Sequence, residues 1–136
     1  SIVGRTTSAS LLRMIAGHVA AARGVFVSDD GDHLSDALLA HWASYAPFVS
    51  EGGYYIMQDT RIDVDCAYAM LTTRMPPDHW CRVVVRGGGP ASAVANITAR
   101  PGFSEQWVQD RSPEKWTITQ HPGGYIRRIA RPARTS

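Results

Sequence analysis

Apolar residues recur at helical spacing near the start of the chain. Leu11, Leu12, Ile15, Val19 and Ala22, with His18 among them, share one face of a helix over Ser8 to Ala22. Ser8 or Ser10 stands ready to cap it and Gly24 to stop it, so the spacing predicts a helix packed on a sheet. Val25, Phe26 and Val27 follow as a short apolar run that ends in Ser28-Asp29-Asp30-Gly31-Asp32-His33. A buried parallel strand that delivers polar groups at its carboxyl end has this pattern. A second helix is expected over Ser35 to Tyr45, with Leu38, Leu39, Trp42 and Tyr45 on its apolar side and a stop near Pro47. Glu51-Gly52-Gly53 turns the chain into a second strand, Tyr54 to Met57, which also ends in polar residues, Gln58-Asp59-Thr60. Two strand-helix units in succession indicate an α/β fold with a parallel sheet.

The periodicity then weakens. Pro76-Pro77 interrupts whatever helix Cys66 to Leu71 forms, and the stretch from Arg61 to Arg86 reads as a mobile or substrate-facing insertion. A short helix over Ala91 to Thr98 lies between Gly87-Gly88-Gly89-Pro90 and Pro101-Gly102. Beyond it, Glu105 to Gln109, Trp116 to Gln120 and Tyr125 to Ile129 alternate as strands, with turns at Ser112-Pro113 and Pro122-Gly123-Gly124. Hairpins that close a parallel sheet make its edge mixed.

Composition narrows the class. With 136 residues, 44% hydrophobic and 19% charged, the chain falls in the ordinary globular range and counts as one domain. The net charge of +2 is too small for a general nucleic-acid binder, and much of the excess sits at Arg127, Arg128, Arg131 and Arg134. No apolar run nears the roughly 20 residues that span a bilayer, and no signal peptide opens the sequence, so a cytoplasmic protein is expected. Cys66 and Cys81 are read as free thiols, since two distant cysteines make neither a redox motif nor a zinc site. Trp42, Trp107 and Trp116 are expected in the core, and the tail arginines on a solvated strand face.

The candidate chemistry lies at the two strand tips. Oxygen-rich clusters suit a hard divalent cation such as magnesium. Neighbouring parallel strands are about 4.8 Å apart, so Asp30 at one tip and Asp59 at the next can share an ion, with Gln58 supplying a neutral oxygen. The plainer reading makes the same residues turn formers, with Asp32 or Ser35 as helix cap. His33 is a base by one reading and a capping or surface residue by the other.

Asp30-Gly31-Asp32, Tyr45-Ala46-Pro47, Gly52-Gly53-Tyr54 and Gln58-Asp59 resemble the metal-dependent sugar O-methyltransferases of macrolide biosynthesis. They also resemble the cephalosporin hydroxylase and rhamnosyl O-methyltransferase family, whose Asp-Ser-Asp-His type motif His33 matches. Gly89-Pro90, Ala93-Val94, Phe103, Asp110-Arg111, Glu114-Lys115, Thr117, Thr119 and the run from Pro122 to Ile129 follow that family's closing pattern. The resemblance covers Val25 to Ile129. It implies the carboxyl-terminal half of a Rossmann-like class I methyltransferase, a three-layer α/β sandwich with a mixed sheet. S-adenosylmethionine would be the donor, magnesium the metal, and a hydroxyl of a sugar or other small natural product the acceptor.

Carried over by position, Asp30 is the first metal ligand and Asp59 belongs to the acidic pair. Gln58 stands where the family usually has Glu or Asp, which removes a negative charge. Asp30 is the catalytic base, with His33 as the alternative, and Asp29 and Asp32 are assigned to the donor. Trp80 and Tyr68 are candidates for lining the acceptor pocket.

The family's glycine-rich donor turn has no counterpart in the sequence. The closest segment, Gly4 to Ser10, fits a later turn of that fold. The chain is therefore expected to be part of a longer polypeptide, or to be completed by a partner or a second copy, because Val25 to Val27 would otherwise form a bare hydrophobic edge. Two other readings remain open: a hydroxylase-type activity, and a non-catalytic module that binds or dimerises.

Overall fold

A computed structural model describes residues 7–114 and 121–129. Four strands form one mixed sheet: β1 (Val27–Asp29), β2 (Tyr54–Met57), β3 (Trp107–Gln109) and β4 (Tyr125–Arg128), in the order β1-β2-β4-β3. β1 and β2 are parallel, with Asp29 opposite Met57, while β4 runs antiparallel to both β2 and β3. The expected parallel pair with a hairpin edge is thus present, and β1 is an edge strand among the described residues.

Alternation along the strands decides what is buried. Tyr55, Met57, Ile126 and Trp107 point to one face and are buried, whereas Ser28, Ile56 and Val108 on the other face are exposed or half-exposed. On the buried face lie α2 (Ser35–Tyr45) and α5 (Pro90–Thr98). α2 inserts Leu38 and Trp42 one turn apart, and α5 inserts Ala93, Val94 and Ile97. The Trp42 ring stands 4.8 Å from both Tyr55 and Trp107, so three aromatics join helix to sheet. Helix α1 (Ala9–Val19) forms as expected but buries no residue. It does not cover the second face, so the described residues make two of the three layers expected of the sandwich.

Three further expectations are corrected. β1 begins two residues later than the apolar run, because Phe26 lies exposed beside it. Glu105 and Gln106 belong to the short helix α6 (Phe103–Gln106), which Gly102 starts from a left-handed φ of 76°, so β3 is only three residues long. The stretch from Arg61 to Arg86 is an ordered helical hairpin, α3 (Ile62–Thr72) and α4 (Trp80–Gly87), and Cys66 and Cys81 are joined across it as a disulfide. Both cysteines and Val84 are buried together against Leu34, Ile62 and Met75. Periodicity hid these helices because Val64, Tyr68, Leu71, Val83 and Val85 face outward. The strand expected over Trp116 to Gln120, and Arg131 and Arg134, lie outside the described residues.

The hairpin also anchors α5. Asp63 accepts hydrogen bonds from the backbone of Gly89, Ala91 and Ser92 and from the Ser92 hydroxyl, so α3 satisfies the open amides of the next helix. On the sheet's open face Asp110 takes the Tyr54 hydroxyl at 2.7 Å and faces the Arg127 guanidinium at 3.3 Å. Arg128, on the buried side, lies over Trp107 and donates to the carbonyls of Pro47 and Val49. Arg127 and Arg128 are therefore paired side chains, not the merely solvated ones expected. No helix of the described residues is long and apolar enough to cross a membrane.

Two stability tests follow. Replacing Cys66 and Cys81 by Ala opens a crosslink over a sequence separation of 15 and should cost about 3 kcal/mol, read as a lowered urea midpoint. An unchanged midpoint would show that the bridge constrains nothing. Hydrogen bonds from Ser112, then the Tyr54 hydroxyl, with Arg127 beside them, hold the Asp110 carboxyl down from 3.8 to about 2. Its contribution is complete above about pH 4 and is lost as pH falls toward 2. Asp110→Asn should flatten the stability-pH curve in that window, and a wild-type slope there would contradict the assignment.

Candidate active site at the parallel strand ends

Parallel pairing brings two chain segments out side by side. The Gln58 backbone N–H donates to the Asp29 carbonyl at 3.0 Å, one step beyond the last ladder pair, so Asp30 and Asp59 leave the sheet together. Adjacent aspartates then part. Asp29 keeps to the buried face, where its Oδ2 accepts the Tyr55 hydroxyl at 2.7 Å and its Oδ1 lies 3.1 Å from His41 Nδ1 and accepts the Gly31 N–H. Burial, followed by the charge and hydrogen bond of Asp29, raises the Tyr55 pKa far above its ordinary value, which keeps that hydroxyl a donor. Tyr45 is raised too, by burial and then by Asp29. Asp30, one residue on, is open to solvent.

The Asp59 side is held by its backbone. Asp59 adopts φ 52°, a left-handed conformation that non-glycine residues rarely take and that Asp tolerates better than most. Its N–H donates to His121 Nδ1 at 2.7 Å, its carbonyl accepts from Ile62, and the neighbouring Thr60 hydroxyl, buried, donates to the Pro122 carbonyl. The loop after β2 is in this way tied to the turn before β4. That turn comes close enough that a side chain at Gly124 would run into the Met57 carbonyl oxygen, so only glycine fits there.

His33 closes the group. Asp32 Oδ1 accepts the Leu34 N–H at 3.0 Å, a tight turn that brings His33 in just before α2. His33 Nε2 lies 3.2 Å from Asp59 Oδ2 and 4.0 Å from Asp30 Oδ1. One ligand atom each from Asp30, His33 and Asp59 can be chosen within 4.8 Å of one another. The Gln58 side-chain nitrogen donates to the Ser28 hydroxyl at 2.6 Å, a bond that does not use its oxygen.

Two clefts flank this group. One, of about 270 Å³, is edged by Val27, Asp29, Asp30, Gly31, His41 and Tyr45. The other, of about 310 Å³, is edged by Asp32, His33, Leu34, Trp80 and Val83, with the Trp80 ring 6.5 Å from that of His33. The residues singled out from sequence therefore divide. Asp30, His33 and Asp59 converge, Asp29 and Asp32 fall in different clefts, Gln58 is drawn to Ser28, and Trp80 borders the site while Tyr68 is exposed on α3. His41 and His121, which sequence reasoning missed, position Asp29 and Asp59. His41 was recognisable only as a polar residue on the buried side of α2.

Two carboxylates and an imidazole at this spacing are chemically fit to hold a divalent cation while leaving other positions to water or substrate. The buried Asp29 has a structural duty instead. Asp29→Ala leaves Tyr55 and His41 without their carboxylate and should cost about 3 kcal/mol in chemical denaturation. Asp30→Asn and Asp59→Asn should stay within about 1 kcal/mol of wild type. Equal losses in all three would erase the division between core and site.

No curated protein and no solved structure matches the chain significantly. Residues 1–129 match the profile of the family described as Rhamnosyl O-methyltransferase/CmcI, nearly the whole chain. The resemblance read from the acidic turn and the closing residues thus meets an independent finding, and the chain belongs to the rhamnosyl O-methyltransferase/CmcI family.

Proposed function

We propose that this chain carries the acceptor side of an S-adenosylmethionine-dependent O-methyltransferase, within a Rossmann-like class I fold. Its acceptor is a hydroxyl of a sugar or other small natural product. The observation that carries the reading is the convergence of Asp30, His33 and Asp59 between two clefts, in a chain of this family.

In the transfer, the acceptor oxygen forms a bond to the methyl carbon as the carbon–sulfur bond of the sulfonium breaks, and the hydroxyl proton leaves. A hydroxyl is a weak nucleophile at neutral pH, so the proton needs a base within hydrogen-bond reach. Asp30, open to solvent and beside His33, is that base, and His33 is the alternative. A divalent cation at Asp30 and Asp59, magnesium by family resemblance, would lower the pKa of the acceptor hydroxyl. The aromatic face of Trp80 beside His33 suits the apolar face of a sugar ring, which supports that cleft as the acceptor's. The cleft beside Asp29 and Asp30 then lies on the donor side, and Asp32 falls on the acceptor side.

The remaining work is positioning. Holding the methyl carbon and the acceptor oxygen in line at about 3 to 3.5 Å can supply roughly 7 to 11 kcal/mol of the barrier. The tied loop at Asp59 and the disulfide-linked hairpin at Trp80 give the site the rigidity that this requires.

The test uses the full-length protein with labelled S-adenosylmethionine, a divalent cation and a panel of glycosides. Asp30→Asn should lower kcat at least about a hundredfold, the range expected when a general base is removed. Trp80→Ala should act mainly on the KM for the acceptor. Methyl transfer that persists at the wild-type rate in Asp30→Asn and Asp59→Asn would remove the assignment, and turnover that requires oxygen and a reductant would replace it with a hydroxylase.

A further inference from the structure

Helix α4 is held differently at its two ends. At the carboxyl end the Gly88 carbonyl accepts the Ser35 N–H at 3.0 Å and the Gly89 N–H donates to Asp63, so the first turns of α2 and α3 fix it. At the amino end, among the described residues, the hydrogen bonds are local. The Cys81 N–H donates to His79 Nδ1, and the Arg82 guanidinium donates to the carbonyls of Met75 and Pro76 in the loop before the helix. Loop and helix end therefore travel together. Beyond the chain itself, what ties them to the rest is the Cys66–Cys81 bond and one small apolar cluster, in which Val84 meets Leu34, Ile62 and Met75.

The fixed end is also a pivot. Gly87, Gly88 and Gly89 follow one another where α4 stops, Gly88 has a positive φ of 81°, and glycines resist backbone rotation least. α4 has only eight residues, too few to persist in water without tertiary support. Trp80, Val83 and Val85 on it are each about half exposed, so that support comes mainly from the side that carries the sulfurs. Trp80, next to Cys81, and Val83 line the cleft beside His33.

We propose that the Cys66–Cys81 bond is a redox latch on this cleft. A dithiol reductant that opens it frees the amino end of α4 to swing about the three glycines, which withdraws Trp80 and Val83 while the sheet stays folded with α2 and α5. A thiolate of the reagent attacks one sulfur, the S–S bond breaks, and the second thiol of the reagent closes its own disulfide. The two cysteines gain two electrons and two protons, and the dithiol loses the same. Both sulfurs are buried, so attack follows local opening of the hairpin. The effect on turnover, and only that, rests on the reading that this cleft takes the acceptor.

The experiment compares the full-length protein before and after dithiothreitol, with alkylation and mass spectrometry to establish that Cys66 and Cys81 are free. On reduction, amide exchange protection over Trp80–Gly87 should fall about tenfold or more, and over Ser35–Tyr45 and Tyr54–Met57 by less than about twofold. The double variant Cys66→Ser, Cys81→Ser should match the reduced protein without reductant and be indifferent to dithiothreitol. For a glycoside that is methylated, reduction should raise the acceptor KM about tenfold or more and leave that of the methyl donor within about twofold.

Free thiols without local loss of protection, or a loss shared equally by α2 and β2, would overturn the latch, as would an unchanged acceptor KM in a loosened hairpin. The exchange measurement needs no turnover. If no glycoside is methylated in either redox state, the assigned reaction fails, and exchange still decides whether the bond controls the hairpin.

Discussion

The parallel register of β1 against β2 is the constraint on which the site depends. With Asp29 opposite Met57 and the Gln58 N–H bonded to the Asp29 carbonyl, both strands end at one level, and the residues after them emerge about one strand spacing apart. A slip of one residue would exchange faces along β1, sending Asp29 outward and Ser28 into the core. The hydrogen bonds from Tyr55 and Gly31, with His41 beside the same carboxylate, oppose that slip, because they exist only with Asp29 inward. A buried carboxylate with good partners adds little net stability, but leaving those partners unsatisfied is costly, and that asymmetry specifies register.

Neighbouring residues of like chemistry therefore acquire opposite duties. Asp29 and Asp30 are indistinguishable as letters, and both were assigned to the site from sequence. Strand alternation separates them. Asp29 continues the buried face of Val27 and its carboxylate is taken up by Tyr55 and His41, while Asp30 leaves the strand and is open to solvent. Asp32 differs again, since its oxygen fixes the turn that presents His33. Of the plainer reading the turn-forming role therefore holds for Asp32, but not the capping role given to Asp32 or Ser35, because α2 has Leu34 at its N-cap and no side-chain cap bond.

The fold was legible wherever periodicity and burial coincide. Ser35 to Tyr45 and Tyr54 to Met57 occupy the very residues expected, because Leu38, Trp42, Tyr55 and Met57 all face a single core. The start of β1 was misplaced because Phe26 is apolar yet exposed, and the α3–α4 hairpin was invisible because its outward face is apolar too. The cysteines carried the missing information. Their pairing depends on two helices returning antiparallel, a property of the topology and not of the spacing in sequence. At the site, the convergence of Asp30 and Asp59 could be inferred from strand adjacency alone, whereas the nearness of His33 depends on the Asp32 turn, and the support from His41 and His121 depends on contacts across the chain.

The same hairpin connects the core to the chemistry. Cys81 follows Trp80 directly, so the bond that holds α4 to α3 also fixes the backbone of the residue that walls the His33 cleft. α3 in turn begins three residues after Asp59, and its first N–H, that of Ile62, donates to the Asp59 carbonyl. The loop closed by the disulfide from Cys66 to Cys81 thus contains the cleft wall at Trp80, while the acidic loop leads into the same hairpin at Ile62, next to Asp63 under the amides of α5. Under the proposed function, Trp80 holds an acceptor in place only if its backbone does not drift, since misplacement on the order of 1 Å is enough to lose a reactive geometry. With one sheet face open among the described residues, a crosslink beside the site adds rigidity to that which the core provides.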